Sequence, residues 1–212
     1  MTSLFRMARL GVAGVGVMAA CAGSASAATV GFTLVISGAA NTPSMLLTND
    51  SDLALLTGFS LTIGDTDYNF DAFNSLPSNP AGGTAVGNTP DTNNLGAIRS
   101  DLIDISYTGF NPGETSSWIV DVDVDSDNTV EDYRTVLLNN GSVANAVATA
   151  LFSGGGVLSL TLSDGGASQP SYTFSASSVL SEVPLPAALP MLASAMVLAG
   201  FAARRKKHDI GA

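Results

Sequence analysis

The stretch "SSWIVDVDVD", residues Ser116–Asp125, is the clearest sign of the fold in this sequence. Its apolar residues fall at every second position, and three aspartates lie between or after the valines. Successive side chains of a β-strand point to opposite faces, so Trp118–Val124 supplies an apolar face and Asp121–Asp125 an acidic one. A strand with one apolar face and one polar face is typical of a half-buried antiparallel sheet. The stretch therefore predicts such a sheet, with Trp118 in its core.

Seven further segments are rich in Val, Ile, Thr, Phe and Tyr and are separated by turn sequences such as "NNG", "SGGG" and "SDGG". Short strands at this spacing predict an all-β domain, an antiparallel β-sandwich. Residues Asn74–Asn94 are rich in Pro, Gly and Asn and predict a long surface loop. The other predicted strands are Thr29–Ser37, Gly58–Gly64, Asp101–Tyr107, Asp132–Leu138, Asn145–Phe152, Gly156–Leu162 and Ser171–Ser177.

Residues 1–27 have the three parts of a secretory signal peptide. Two arginines precede an apolar run, Leu10–Ala20, and the segment ends in an A-x-A site formed by Ala25 and Ala27. This order predicts a signal helix and cleavage after Ala27 by signal peptidase. The alternative is a lipid anchor, because "VMAAC" at Cys21 is similar to a lipobox. Cleavage after Ala27 removes the only cysteine, so the exported chain would have no disulfide, cysteine nucleophile or cysteine-based zinc site.

Charge is distributed unevenly along the chain. Residues 28–182 contain seventeen Asp and Glu but only two cations, Arg99 and Arg134, which gives a net charge of −15. Such a field repels nucleic acids and favours solubility after export. The one histidine, His208, lies outside this range, which excludes from it a Ser-His-Asp triad and a histidine-based zinc site. Glu114 and Glu131 could form a glycosidase pair, but nothing in the sequence brings them together. We therefore predict a non-enzymatic domain.

The aspartate row "DVDVDSDNTVED", Asp121–Asp132, could bind a hard cation. It departs from a calcium-binding EF-hand loop, because Ser126 stands where glycine is needed and Asp132 where glutamate is usual. Alternate carboxylates on a strand lie about 7 Å apart, too far for three of them to bind one ion. We therefore predict no cofactor, with Ca²⁺ as the alternative. Its candidate ligands are Asp125, Asp127, Asn128 and Glu131.

The C-terminal segment has three parts in a fixed order: "VPLPA", an apolar run and a basic cluster. The apolar residues 188–203 would span about 25 Å as a helix, enough for a thin bilayer core. The cations that follow directly disfavour a buried core helix and predict that residues 204–212 stay cytoplasmic, with the domain outside. The motif residues are Val183, Pro184, Leu185, Pro186 and Ala187, and the cations are Arg204, Arg205, Lys206 and Lys207.

This C-terminal arrangement resembles the VPLPA-CTERM sorting signal, a variant of the PEP-CTERM class, over about residues 183–207. The resemblance implies export in a Gram-negative bacterium and transient anchoring in the inner membrane. It also implies recognition by an exosortase, a membrane protease that cuts near the motif and sends the protein to the cell surface or the extracellular matrix. It implies nothing firm about residues 28–182.

Together these features predict five segments and one role. The segments are a signal peptide (1–27), an exported β-rich domain (28–182), the sorting motif (183–187), a transmembrane helix (188–203) and a basic cytoplasmic tail (204–212). The predicted role is a non-enzymatic surface or matrix protein, whose partners are signal peptidase, exosortase, the inner membrane and a matrix or surface polymer. The alternative is a calcium-dependent adhesin or carbohydrate-binding module that uses Asp121–Asp132.

Overall fold

The computed structural model describes residues 28–87, 100–126, 129–138, 145–163, 169–180 and 195–196. Residues Ala27–Glu182 form one compact unit, which contains every strand and helix described below. In chain order these elements are β1 (Thr29–Gly38), β2 (Pro43–Asn49), β3 (Leu56–Thr62), β4 (Tyr68–Ser75), β5 (Thr84–Gly87), β6 (Leu102–Phe110), β7 (Thr115–Val124), α1 (Tyr133–Leu138), β8 (Val147–Phe152), β9 (Val157–Thr161) and β10 (Ser171–Val179).

The strands form two five-stranded sheets in which every pair is antiparallel. Sheet A has the order β10-β1-β2-β7-β4, and sheet B has the order β5-β6-β3-β8-β9. Their inner faces share one core of buried apolar side chains. Two antiparallel sheets that enclose a single core make a β-sandwich. The predicted fold of the domain is therefore confirmed.

Aromatic rings link the two sheets at the centre of the core. Phe59 of sheet B lies 6.1 Å from the ring of Phe32 and 5.6 Å from that of Trp118, both in sheet A. Trp118 is 1% exposed, which confirms its predicted place in the core. These tilted and edge-to-face contacts add to the free energy gained by burying large apolar surfaces.

One buried polar side chain joins the two sheets where β2 ends. Asn49 is fully buried, and its amide nitrogen donates to the carbonyl oxygens of Ala54 and Phe110, both at 2.9 Å. Its amide oxygen accepts the backbone N–H of Ser51 at 3.1 Å. A buried amide with these partners avoids the cost of an unsatisfied polar group and fixes the approach of sheet B to sheet A.

The prediction of a strand at Asp132–Leu138 was wrong, because this segment contains α1. The Asp132 carbonyl accepts the N–H groups of Thr135 and Val136, and its carboxylate accepts the N–H of Arg134 at 2.9 Å. Asp132 is thus an N-cap, which favours a helical turn. The consecutive side chains of Val136, Leu137 and Leu138 are all buried. A half-buried strand would bury only every second side chain, so this burial fits the packed end of a helix.

The predicted loop Asn74–Asn94 was wrong in part. Its first two residues belong to β4, and Thr84–Gly87 forms β5, which pairs with β6. Residues 88–94 lie outside the described part of the chain. The strand β2 was not predicted, because Leu46 points outward but is apolar like its buried neighbours Met45 and Leu47. The sequence there shows no alternation of apolar and polar residues.

Turn chemistry was predicted correctly between β8 and β9. The "SGGG" sequence brings these strands together as an antiparallel hairpin, and Gly154 and Gly155 have φ angles of 82° and 86°. Glycine adopts such left-handed angles without steric cost. Much of the other two turn sequences falls at residues 139–144 and 164–168, which lie outside the described ranges.

The sandwich begins and ends at one place. The N–H of Leu180, just after β10, donates to the carbonyl oxygen of Ala28, just before β1, at 2.8 Å. In the part of the chain that the structure describes, no helix has the length and apolar character needed to cross a membrane. Of the predicted transmembrane helix, 188–203, the structure describes only residues 195–196.

Candidate functional site

Five carboxylates lie around the end of β7 and the start of β4, and we call them the acidic rim. The backbone joins them there, because Tyr68 of β4 pairs with Val124 of β7 and the Asp125 N–H donates to the Asp67 carbonyl oxygen at 2.9 Å. Two of the four predicted calcium ligands, Asp125 and Glu131, belong to it. The members of the acidic rim are Asp65, Asp67, Asp101, Asp125 and Glu131.

Electrostatic repulsion acts within the acidic rim. Burial, followed by the negative charge of Asp125, raises the pKa of Asp101 above its ordinary value. The pKa of the Tyr68 phenol is raised by burial first and then by the charges of Glu131, Asp65 and Asp67. The negative charges of the rim therefore act on the Asp101 carboxyl and on the Tyr68 phenol, which makes this end of the sandwich negative.

Protein groups already bind the two predicted ligands in the rim. The buried amide of Asn69 donates to an Asp125 oxygen at 2.7 Å. A Glu131 oxygen accepts the N–H of Asp132 at 3.0 Å. Asp127 and Asn128 lie outside the described residues. Within the described ranges, no group of three or more Asp, Glu, His or Cys side chains converges as a metal site.

The aspartates of β7 do not share one environment. Asp121 is half-buried, and its pKa is raised by burial and by Asp71, although hydrogen bonds from Val122 and Asn41 lower it. Asp123 was expected on the solvent face with Asp121 and Asp125, but it is only 5% exposed. The chain returns after β7 and makes an antiparallel bridge between Val130 and Asp123, which accounts for this burial.

A second polar cluster connects α1 to the start of β10. Arg134 pairs with Asp132 at 2.9 Å, lies 4.6 Å over the ring of Tyr133, and donates to the Gln169 carbonyl oxygen at 3.1 Å. Tyr133 in turn contacts Tyr172 of β10 edge to face. Because its guanidinium binds a carboxylate, a ring and a backbone oxygen of its own chain, Arg134 has a structural role.

Glu114 and Glu131 lie at opposite ends of β7. Glu114 precedes the strand, where its carboxylate accepts the N–H of Asn111 at 2.9 Å, and Glu131 follows the bridge between Val130 and Asp123. The nine steps along the chain from Glu114 to Asp123 span about 30 Å of strand. Glycosidase carboxylates lie about 5–9.5 Å apart. These two glutamates therefore cannot act as such a pair.

The outer faces of both sheets carry rows of hydroxyl side chains. In sheet A, Ser175, Thr33, Thr48 and Thr115 lie side by side across four strands, and the Thr33 and Ser175 hydroxyls are 2.8 Å apart. Sheet B has a similar contact between Thr149 and Ser159 at 2.9 Å. Sequence reasoning missed these rows, although the alternating hydroxyls of "SYTFSAS" are their signal.

The terminal site residues stay predictions. Ala25, Ala27, the motif Val183–Ala187 and the cluster Arg204–Lys207 all lie outside the described part of the chain. No protein-family model matches the chain, and no curated protein matches it. The proposed function therefore rests on this chain's own residues and their contacts.

Proposed function

We propose that this chain is an exported, non-enzymatic surface or extracellular-matrix protein that an exosortase sorts through its C-terminal segment. The observation that carries the proposal is the order of three parts: Val183–Ala187, the apolar residues 188–203 and the cations Arg204–Lys207. In this proposal signal peptidase cuts after Ala27. The apolar segment then holds the domain at the outer side of the inner membrane until the exosortase cuts near the motif.

The geometry of the sandwich supports release by two cuts. The strand β1 starts at Thr29 and β10 ends at Val179, so every strand lies between the two predicted cleavage regions. Ala28 and Leu180 are hydrogen-bonded, so the first and last residues described for the sandwich lie side by side. Removal of residues 1–27 and of the segment after the motif would leave both sheets and their core complete.

The surface of the sandwich supports a role in binding a hydrated polymer and not in catalysis. The acidic rim keeps one end negative, and the hydroxyl rows offer neutral donors and acceptors. Range 28–182 has no histidine, its two candidate acid–base glutamates lie far apart, and Arg134 is engaged within the chain. A matrix polysaccharide or another surface polymer is the partner whose chemistry fits such a face.

The test is a double substitution in the motif, Pro184→Ala with Pro186→Ala. Proline cannot donate its backbone nitrogen and disfavours helix at the preceding residue, so the two prolines keep the motif extended for a protease. We expect the variant to remain in the membrane fraction at full length. The matched control is Pro190→Ala, a proline of the same segment outside the motif, and it should be released like the natural chain. Unchanged release of the double variant would contradict the proposal.

A further inference from the structure

The bond that signal peptidase is predicted to cut lies directly beside the sandwich. The predicted cut follows Ala27, and β1 begins at Thr29, so only Ala28 separates the bond from the strand. Val30, the third residue after the bond, is fully buried in the core. Folding of the domain therefore affects whether a protease can reach this bond.

Hydrogen bonds hold the start of the sandwich from both sides. On one side lies β10, in which Val179 pairs with Thr29. The Leu180 N–H, just after β10, donates to the Ala28 carbonyl oxygen at 2.8 Å. On the other side, the Asp52 N–H donates to the Thr29 carbonyl oxygen at 3.0 Å, and the Asp52 carboxylate accepts the Thr29 N–H at 3.2 Å. The backbone of Ala28 and Thr29 is therefore fixed in the folded domain.

A protease needs a free, extended stretch of chain on both sides of the bond that it cuts. Such a stretch binds by pairing its backbone groups with those of the protease, as an added strand does. Backbone groups that already have partners in a sheet can bind in this way only after their segment opens locally. Ala28 and Thr29, the two residues on the domain side of the bond, have such partners in the folded chain.

We propose that signal peptidase must cut this chain before β10 pairs with β1, and that closure of the sandwich protects any bond still uncut. The inference rests on the proposed function, because the cut after Ala27 is part of that proposal. It adds an order of two steps, in which cleavage comes first and closure of sheet A second. A chain that folds with residues 1–27 attached keeps them.

The strand that pairs with the start of β1 comes from the other end of the domain. Thr29 and Val179 are neighbours in sheet A, but almost the whole domain separates them in the sequence. The strand β2 pairs with β1 only from Phe32 onward, so the segment Thr29–Gly31 has β10 as its strand partner. Contacts of such long sequence separation form late, and the N-terminal part of a chain is made first. The bond is therefore accessible until residues 171–180 reach β1.

The closeness of the bond to the sandwich can be changed without changing the cleavage signal. Ala25 and Ala27 of the A-x-A site lie on the other side of the bond. A short Gly-Ser insertion between Ala28 and Thr29 keeps this site and moves it away from the sheet. The matched control is the same insertion between Gly154 and Gly155, in the β8–β9 turn. A Cβ added at either glycine would meet no atom of the described chain within 4 Å, so this turn has room.

The experiment is cell-free synthesis of the full chain in detergent, with purified signal peptidase added at one of two times. In the first arm the enzyme is present during synthesis. In the second arm it is added after synthesis, when the fluorescence of Trp118 shows that the chain has folded. Intact mass measures how much of the chain begins at Ala28.

We expect the folded natural chain to be cut at least about 10-fold more slowly than the chain under synthesis, because cleavage of a folded chain requires the open form. The insertion between Gly154 and Gly155 should behave like the natural chain. The insertion after Ala28 should be cut equally fast in both arms.

Equal rates in both arms for the natural chain would overturn the inference and leave the predicted cut after Ala27 in place. Slow cutting of the folded chain with the insertion after Ala28 would also overturn it, because closeness to the sandwich would not then be the cause of protection. If that insertion prevents folding, the two arms of the natural chain decide alone. No cut after Ala27 in either arm of any of the three chains would overturn the predicted signal peptide, and the inference with it.

Discussion

The two edges of sheet A differ in regularity, charge and cover. β4 is interrupted by register shifts, carries Asp71, lies beside the acidic rim and is bridged by Ser100. β10 pairs evenly with β1 over nine residues and has no charge. One sheet therefore ends in an irregular, charged edge on one side and in a regular, neutral edge on the other.

The largest effect should come from removing the buried ring at each edge. Phe70 of β4 is fully buried, whereas Phe174 of β10 is 9% exposed at an open edge. Loss of a buried phenylalanine leaves a cavity, so we expect Phe70→Ala to lower the free energy of unfolding by about 4 kcal/mol and Phe174→Ala by about 3 kcal/mol. Urea unfolding followed by the fluorescence of Trp118, the only tryptophan, measures both. A larger loss for Phe174→Ala would contradict the comparison.

A buried negative charge should distinguish the edges almost as strongly. Asn69→Asp keeps the shape of the side chain but puts a second carboxylate beside Asp125. We expect a loss of about 3 kcal/mol at pH 7, because the new charge is buried without a cation. Protonation should remove most of this loss below about pH 4. The control Thr173→Asp, exposed on β10 opposite Val35, should change the free energy of unfolding by less than about 1 kcal/mol. A comparable loss in both variants would contradict this reasoning.

The helix next to β10 should depend on its N-cap. Asp132→Ala removes the acceptor for the Arg134 N–H and the partner of its guanidinium, and should cost about 1.5 kcal/mol. Asp132→Asn keeps the cap and loses only the ion pair, so it should cost about 0.5 kcal/mol. Thermal unfolding monitored by circular dichroism measures both losses. Equal costs would show that the ion pair dominates over the cap.

Relief of repulsion in the acidic rim should give a small gain in stability. Burial and Asp125 raise the pKa of Asp101 above 3.8, so the folded chain holds this proton more tightly than the unfolded chain does. The resulting destabilisation is absent below pH 3.8 and grows as pH rises through the pKa of the folded state. Asp101→Asn should therefore stabilise by about 0.3 kcal/mol at pH 7, where solvent screens the charges, and by nothing at pH 3. Melting curves at both pH values test this, and a gain at pH 3 would contradict it.

Calcium should have the smallest effect. The Asp125 and Glu131 carboxylates already accept hydrogen bonds from the chain, and Asp132 pairs with Arg134. We expect millimolar Ca²⁺, the range in which weak extracellular modules bind, to leave the melting temperature of the released domain unchanged. Mg²⁺ at the same concentration is the control for ionic strength. A rise specific to Ca²⁺ would favour the adhesin alternative that uses Asp121–Asp132.

Alternation in the sequence predicted the sandwich and the core position of Trp118, because burial on one face imposes a period of two. It failed where tertiary contacts decide. The segment of α1 has β-branched residues, but the Asp132 cap and a fully buried end make it helical. Asp123 is covered because the chain returns beside it at Val130, and no local sequence pattern predicts that contact.

The candidate site was predicted less completely than the fold. The charge pattern indicated an acidic end at β7, but the other rim members Asp65, Asp67 and Asp101 come from distant parts of the sequence. The regular edge β10 was predicted as a strand, yet its place at the open side of sheet A depends on strand order, which the sequence does not encode locally.

The intact mass of this protein recovered from host membranes and from culture medium tests the proposed sorting most directly. We expect a released form that begins at Ala28 and ends near residues 183–187, with both sheets complete. A form that retains Arg204–Lys207 and occurs only in membranes would contradict it. The C-terminal segment would then be a permanent anchor, and the domain would act at the outer side of the inner membrane.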